Sequence, residues 1–192
     1  MRKTTRRTAA WIAPAVFLIA GCASKGRTEF THPGADLGAI RSVAVLPFST
    51  LTQDRTDAQK VQRVFLVELL ALGAVDVVEP GEVAKLFAAE HLDSTDALAP
   101  ADLQRIGKTL GANGLFLGTV VDFTETRTGS VPAPEVAIQL RLVETESGKT
   151  LWTSSQTRSG ASAKARLFGF GGASLTETAR RLMRQQLRHL AR

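Results

Sequence analysis

Cysteine and histidine are scarce in this chain of 192 residues, which contains one cysteine and three histidines. A single cysteine cannot form an internal disulfide. No HExxH sequence, no paired histidine and cysteine spacing and no DxDxDG loop occurs, which argues against a metal site. GxSxG and GxxxxGK[ST] sequences are also missing, which argues against a serine nucleophile and a phosphate-binding loop. The sequence therefore predicts no catalytic residues, no metal and no dissociable cofactor.

Acidic residues are missing from the first 21 residues, which contain four basic ones, Arg2, Lys3, Arg6 and Arg7. The formal net charge of +6 includes these four, so the rest of the chain carries +2. A charge this small does not indicate a nucleic-acid partner.

An apolar run of 12 residues from Ala9 to Ala20 follows the basic residues and is interrupted only by Pro14. As a helix it would span about 18 Å, whereas the hydrocarbon core of a bilayer is about 30 Å thick. This length is typical of the apolar region of a signal peptide. Residues 1–21 are therefore predicted to be a signal peptide.

Three residues that end this leader, Ile19, Ala20 and Gly21, stand immediately before Cys22. The stretch resembles the lipobox of bacterial lipoproteins. This resemblance implies cleavage before Cys22, a diacylglycerol thioether on its sulfur and an acyl chain, such as palmitate, on its new amine. Several acyl chains give a durable membrane anchor. Ala23 favours the outer membrane by the same resemblance, with the domain facing the periplasm. A plain cleaved signal peptide with a chance cysteine is the alternative.

The mature chain divides into two parts. Residues 22–38 are small, polar and contain glycine and proline, so we predict a lipidated cysteine followed by a flexible tether with a reach of at most about 55 Å. Residues 39–192 form the predicted folded domain.

Hydrophobic periodicity predicts a single α/β domain with the element order β-α-β-α-α-β-β-β-α. The expected mixed sheet has five strands, and the last three form an antiparallel meander. Helices pack on this sheet. The five predicted strands cover residues 42–48, 75–78, 115–123, 136–143 and 150–158. Capping boxes at Thr56–Gln59 and Ser174–Glu177 predict the starts of the first and last helices.

The first helix has an unusual pattern, because Glu68 is the only polar residue between Val64 and Leu72. Leu66, Val67 and Leu70 point away from the predicted core face. Either the final helix covers these three residues or another subunit of a homo-oligomer does.

Two further features suggest contact sites. Arg181, Arg184 and Arg188 lie opposite the apolar stripe of the final helix, where they form either a solvated face or a contact with anionic lipid headgroups or an acidic partner. Phe168 and Phe170 lie in a glycine-rich loop that precedes this helix. That loop is either a connector or a segment that touches a partner or the membrane.

Three stretches in order carry a resemblance to a known family: VAVLPF, LGANGLFLGTVVDF and ETESGKTLW. A helix that ends in LGA leads into a strand that contains Gly118-Thr119-Val120, and a hairpin follows from Glu144 to Trp152. Over residues 40–190 the pattern resembles the CsgG-like and LpoB-like bacterial outer-membrane lipoproteins, whose core is similar to the N-terminal domain of TolB.

This resemblance implies a non-enzymatic, membrane-anchored periplasmic lipoprotein that binds an envelope protein and acts as an accessory or assembly factor in envelope biogenesis or secretion. A subunit of an oligomeric CsgG-like secretion channel is the main alternative. The long barrel-forming hairpins of that branch are missing, which argues against a pore. An activator of a peptidoglycan synthase would need a longer tether, and an enzyme is the last alternative.

Overall fold

A computed structural model describes residues 26–128, 131–160, 173–188 and 190. Within these residues, seven strands form one sheet and four α-helices pack on it. The strands are β1 (Arg27–Thr31), β2 (Ser42–Val45), β3 (Ser49–Thr50), β4 (Asp76–Val77), β5 (Gly114–Thr128), β6 (Val131–Glu144) and β7 (Thr150–Ser159). The helices are α1 (Thr56–Leu72), α2 (Pro80–Ala89), α3 (Pro100–Thr109) and α4 (Leu175–Leu187).

The sheet is mixed, and its strands follow the order β1-β7-β6-β5-β2-β4, with β3 paired to β5. β2 runs parallel to both β4 and β5, whereas β5, β6, β7 and β1 are successively antiparallel. The predicted fold class and the C-terminal meander are confirmed. The number of strands differs, because β1 and β3 add two to the five that were predicted.

The edge strand β1 corrects the predicted tether. Residues 27–31 pair with β7, and the Gly26 carbonyl accepts a hydrogen bond from the Thr157 amide at 3.1 Å. The indole Nε1 of buried Trp152 also donates to Glu29 Oε1 at 2.7 Å. The prediction of a flexible tether over residues 22–38 is therefore wrong from Gly26 onwards, since Ala35 and Leu37 also pack against the hydrophobic core. The sequence RTEFT gives little hydrophobic signal, because this edge strand is mostly exposed.

One face of the sheet carries α1 and α4 over the larger of two hydrophobic clusters. Phe65 of α1 lies at its centre, with ring centroids 5.4 Å from Phe48 and 5.2 Å from Phe116. The second ring pair is close to edge-to-face, which is a favourable arrangement for aromatic rings. Trp152 joins the same cluster from β7.

The opposite face carries α2 and α3 over a smaller cluster that includes Leu46, Phe87, Ile106 and Leu115. Gly107 allows α3 to approach the sheet, because a Cβ atom there would lie 2.3 Å from Thr145 Oγ1. A glycine that weakens the helix by about 1 kcal/mol is thus explained by close packing. These two helices leave much of the meander on this side uncovered.

The predicted start of α1 is confirmed, but the capping box is not formed. Arg55 occupies the N-cap without a side-chain hydrogen bond. Asp54 caps the start of the helix instead, since its Oδ1 accepts a hydrogen bond from the Thr56 amide at 2.8 Å and another from the Thr56 hydroxyl at 2.7 Å. The bond from the Thr56 hydroxyl has the largest effect on the pKa of Asp54, and a bond from Lys60 Nζ has the next largest. Together these bonds lower this pKa to about 2. Gly73 ends the helix with a φ of 63°, which favours glycine.

Candidate interaction surfaces

The contact between α1 and α4 is built around a buried carboxylate. Glu68 is only 6% exposed, and its Oε2 accepts from Arg184 Nε at 2.5 Å. Its other oxygen lies 3.4 Å from Arg180 Nε. The hydrogen bond to Glu68 raises the pKa of Arg184. The one polar residue in the apolar stretch of α1 therefore faces the final helix and ties the two helices together.

The remaining apolar residues of α1 divide into two groups. Leu66 is partly buried against the main hydrophobic cluster. Val67 and Leu70, by contrast, are each 60% exposed, and the described residues leave them open to solvent. Of the three residues in the prediction, only these two could contact another subunit without rearrangement. Such a contact stays a prediction.

The three arginines predicted to form a contact have different surroundings. Arg184 is held by Glu68, and Arg181 Nε donates to Glu177 Oε1 at 2.7 Å. The hydrogen bond from Arg181 lowers the pKa of Glu177. Arg188 is exposed, and within the described part of the chain it makes no ion pair. A contact with lipid or protein through these residues also stays a prediction.

A continuous basic surface extends from the start of β1 to the end of α4. Arg158 at the end of β7 donates from Nη1 to Gln185 Oε1 on α4 at 3.1 Å. These two residues line both of two adjoining depressions. One also includes Gly26 and Arg27, and the other includes Arg181, Arg184 and Arg188. We call Arg27, Arg158, Arg181, Arg184 and Arg188 the basic surface.

A second polar surface lies on the sheet face that α2 and α3 leave uncovered. Leu117, Arg141 and Thr153 lie side by side on β5, β6 and β7. Thr119 and Gln139 occupy the neighbouring positions, and all five line one shallow depression. Asp96 also lines this depression, and its carboxylate and the neighbouring hydroxyl, amide and guanidinium groups suit polar ligands.

Several predicted site residues lie outside the described residues: Ile19, Ala20, Gly21, Cys22, Phe168 and Phe170. Among the residues that are described, no group of three His, Cys, Asp or Glu side chains could hold a metal ion. No helix within the described ranges has both the length and the apolar character needed to cross a membrane.

No protein-family model matches this chain, and no curated protein sequence does so either. Solved structures do match it. A PelC dodecamer from Paraburkholderia phytofirmans is 20% identical, with a TM-score of 0.60 over 86% of this chain and 96% of the PelC chain. Lipoprotein GNA1162 from Neisseria meningitidis is 19% identical, with a TM-score of 0.52 over 67% of this chain and 90% of that chain. The LpoB C-terminal domain from Escherichia coli is 13% identical, with a TM-score of 0.45 over 65% of this chain and 98% of that domain.

At these identities the likeness concerns the fold alone. The described domain therefore has the fold of PelC and of GNA1162, the second of which is a lipoprotein. The CsgG-like and TolB-like parts of the expected resemblance are not shown.

Two residues have structural roles that the sequence did not reveal. Glu68 was recognised only as an interruption of an apolar stretch, although an arginine-rich final helix was a signal for its partner. Asn113 lies in the stretch LGANGLFLGTVVDF, and the sequence alone indicated no role for it. Its Oδ1 accepts from the amides of Arg41 and Ser42 at 3.1 and 3.0 Å, and its Nδ2 donates to the Ala39 carbonyl at 3.0 Å. Asn113 thus joins the start of β5 to the start of β2.

Proposed function

We propose that this chain is a lipid-anchored, periplasm-facing protein of the outer membrane that acts by binding proteins and is not an enzyme. Its role would be that of an accessory or assembly factor in envelope biogenesis or secretion. The lipobox-like stretch before Cys22 supports the anchor. The fold shared with a lipoprotein, GNA1162, is consistent with it.

The observation that carries the protein-binding role is the exposure of Val67 and Leu70 on α1. The two side chains lie one turn apart on the same side of the helix, and each is 60% exposed. Neighbouring Glu68 is held by α4, so this part of α1 is fixed in position. A rigid helix surface with adjacent apolar side chains is suited to a protein contact.

The partner we propose for this surface is a second copy of the chain. PelC, which shares the fold over most of both chains, forms a dodecamer. In a homo-oligomer, Val67 and Leu70 of each subunit would be removed from water. Fully burying a leucine contributes about 1.5–3 kcal/mol, so replacing one with a charge should weaken the contact by tenfold or more.

Sedimentation of the mature lipidated protein in detergent tests this proposal. The wild-type protein should sediment as an oligomer, and Leu70→Glu should shift it towards the monomer. Leu51→Glu is the matched control, because Leu51 is 72% exposed in the loop after β3 and lies outside the proposed contact. A monomeric wild-type protein would contradict the proposal, as would an oligomer that tolerates Leu70→Glu as well as Leu51→Glu.

A channel subunit is the second candidate, and the dodecameric state of PelC is the observation that favours it. The two candidates differ in shape. Electron microscopy of the detergent-purified oligomer would show a ring with an open centre for a channel subunit, whereas a closed or small assembly would favour the accessory role.

A further inference from the structure

We propose that the basic surface rests on the anionic lipid headgroups of the membrane that holds the anchor. This inference depends on the lipid anchor of the proposed function and goes beyond it, because it assigns the side of the domain that faces the bilayer. Two independent observations carry it: the shortness of the link between Cys22 and the fold, and the charge beside the point where that link ends.

The link is short because Gly26 is already held by the sheet. The Gly26 carbonyl is bonded to the Thr157 amide, and β1 pairs with β7 from Arg27 onwards. Only residues 23–25 separate Cys22 from this fixed point. The four steps from Cys22 to Gly26 span at most about 14 Å, at roughly 3.6 Å for each residue.

A reach this short brings the domain against the headgroup layer. An acylated Cys22 lies at the boundary between the acyl chains and the headgroups. The polar layer on each side of the hydrocarbon core is about 5–8 Å thick, which uses much of the available reach. Gly26 and the residues beside it must then lie in or next to this layer.

The residues beside Gly26 are basic. Arg27 and Arg158 line the same depression as Gly26, and Gln185 connects that depression to Arg181, Arg184 and Arg188. Three glutamates, Glu29, Glu68 and Glu177, partner these arginines, so five positive charges face three negative ones. Within the described residues, Arg158 and Arg188 form no ion pair with an acidic side chain.

Charge complementarity therefore favours phosphate-bearing lipids. Each arginine near an anionic membrane adds to the attraction, and a guanidinium can bind a phosphate through two hydrogen bonds. An acidic protein partner would carry the same negative charge as these lipids. It would have to enter a gap of at most about 14 Å between the domain and the bilayer, as set by the length of the link.

The test uses the mature lipidated protein in phosphatidylethanolamine vesicles in which one lipid in three is phosphatidylglycerol. Acylation blocks the Cys22 thiol, so a fluorophore reacts only with an introduced cysteine. Thr176→Cys places the probe on the first turn of α4, and Thr157→Cys places it beside Gly26. A lipid with a nitroxide on its headgroup quenches any probe that lies close to the membrane surface.

Docking predicts that both probes are quenched. In an Arg158→Gln, Arg181→Gln, Arg188→Gln variant, the ratio of docked to undocked domains should fall roughly 100-fold, so the probe at position 176 should lose its quenching. The probe at position 157 should remain quenched, because the short link holds it there. Salt at about 1 M, where the Debye length is about 3 Å, should act like the triple variant without any substitution.

The control variant removes three charges from elsewhere. Lys85 and Lys108 lie on the helices of the opposite sheet face, and Lys149 lies in the turn before β7. Their replacement by glutamine should leave quenching at position 176 unchanged. A probe at Lys108→Cys should escape quenching in every preparation.

Each failure has a separate meaning. If the probe at position 157 is quenched but the probe at position 176 is not, the docking proposal is wrong and the anchor stands. The same holds if quenching at position 176 is unchanged both without phosphatidylglycerol and in the arginine variant. If neither probe is quenched, the anchor at Cys22 is wrong. If the arginine variant loses an acidic protein partner while vesicle quenching is unchanged, the surface binds protein and the lipid proposal is overturned.

Discussion

The two faces of the sheet differ in how completely helices cover them. On the face with α1 and α4, aromatic and aliphatic side chains form a large cluster, and buried Glu68 is paired with arginines. On the face with α2 and α3, a smaller cluster covers one part, and polar side chains such as Gln139 and Arg141 occupy the rest. Alternate residues of the same strand β6 thus belong to a core and to an open surface.

This difference shows what strand alternation encodes. Val136, Ile138 and Leu140 point towards α1 and α4 and are buried, whereas the residues between them point to the other side. The alternation of apolar residues in the strand therefore indicates which side of the meander the helices cover. Stability should therefore depend more on the first face, where the larger hydrophobic cluster lies.

The largest expected effect comes from truncating the centre of the larger cluster. Phe65→Ala removes a fully buried ring that contacts two others, so it should lower the free energy of unfolding by about 4 kcal/mol. Phe87→Ala should lower the free energy of unfolding by less, about 3 kcal/mol, since Phe87 belongs to the smaller hydrophobic cluster. Urea unfolding followed by circular dichroism measures both. A greater loss for Phe87→Ala would reverse the comparison.

A smaller effect should follow from removing the charge of Glu68. Glu68→Gln keeps the shape of a buried side chain but weakens its bonds to Arg180 and Arg184, and we expect a loss of about 2 kcal/mol, because both arginines are about half exposed. Glu82→Gln is the matched control on the other face. Glu82 forms an ion pair with Lys85 in which both side chains are exposed to solvent, so Glu82→Gln should leave the free energy of unfolding almost unchanged. Equal losses would remove the special role of Glu68.

The smallest effect concerns pH and the start of α1. The pKa of Asp54 is about 2 in the folded chain against an ordinary value of 3.8, so its contribution to stability is complete above 3.8 and is lost as the pH falls through about 2. Hydrogen exchange should therefore show the first turn of α1 opening in that window before α2 does. Asp54→Asn should remove this pH dependence, and an unchanged profile in that variant would contradict the assignment.

The elements with strong periodicity could be predicted from the sequence. The apolar alternation of β6, the stripe of α4 and the stop at Gly73 all follow from local chemistry, and they led to the correct fold class. The edge strand β1 could not be predicted, because its stability comes from pairing with β7 and from the bond between Trp152 and Glu29, both distant in sequence.

The candidate surfaces were predictable only in part. The excess of apolar residues on α1 was visible, but only the structure separates exposed Val67 and Leu70 from partly buried Leu66. Likewise, the arginines of α4 were visible, but their proximity to Gly26 arises from the packing of α4 against β7. Which residues share a surface depends on tertiary contacts that periodicity does not report.

The anchor at Cys22 determines both the proposed role and the orientation, and the intact mass of the mature protein extracted from membranes shows whether that anchor exists. We expect a chain that begins at Cys22 and carries the mass of a diacylglycerol and one further acyl chain, with no such species from Cys22→Ala. An unmodified mature chain, or one cut at another residue, would show that the anchor, and the role proposed from it, are wrong.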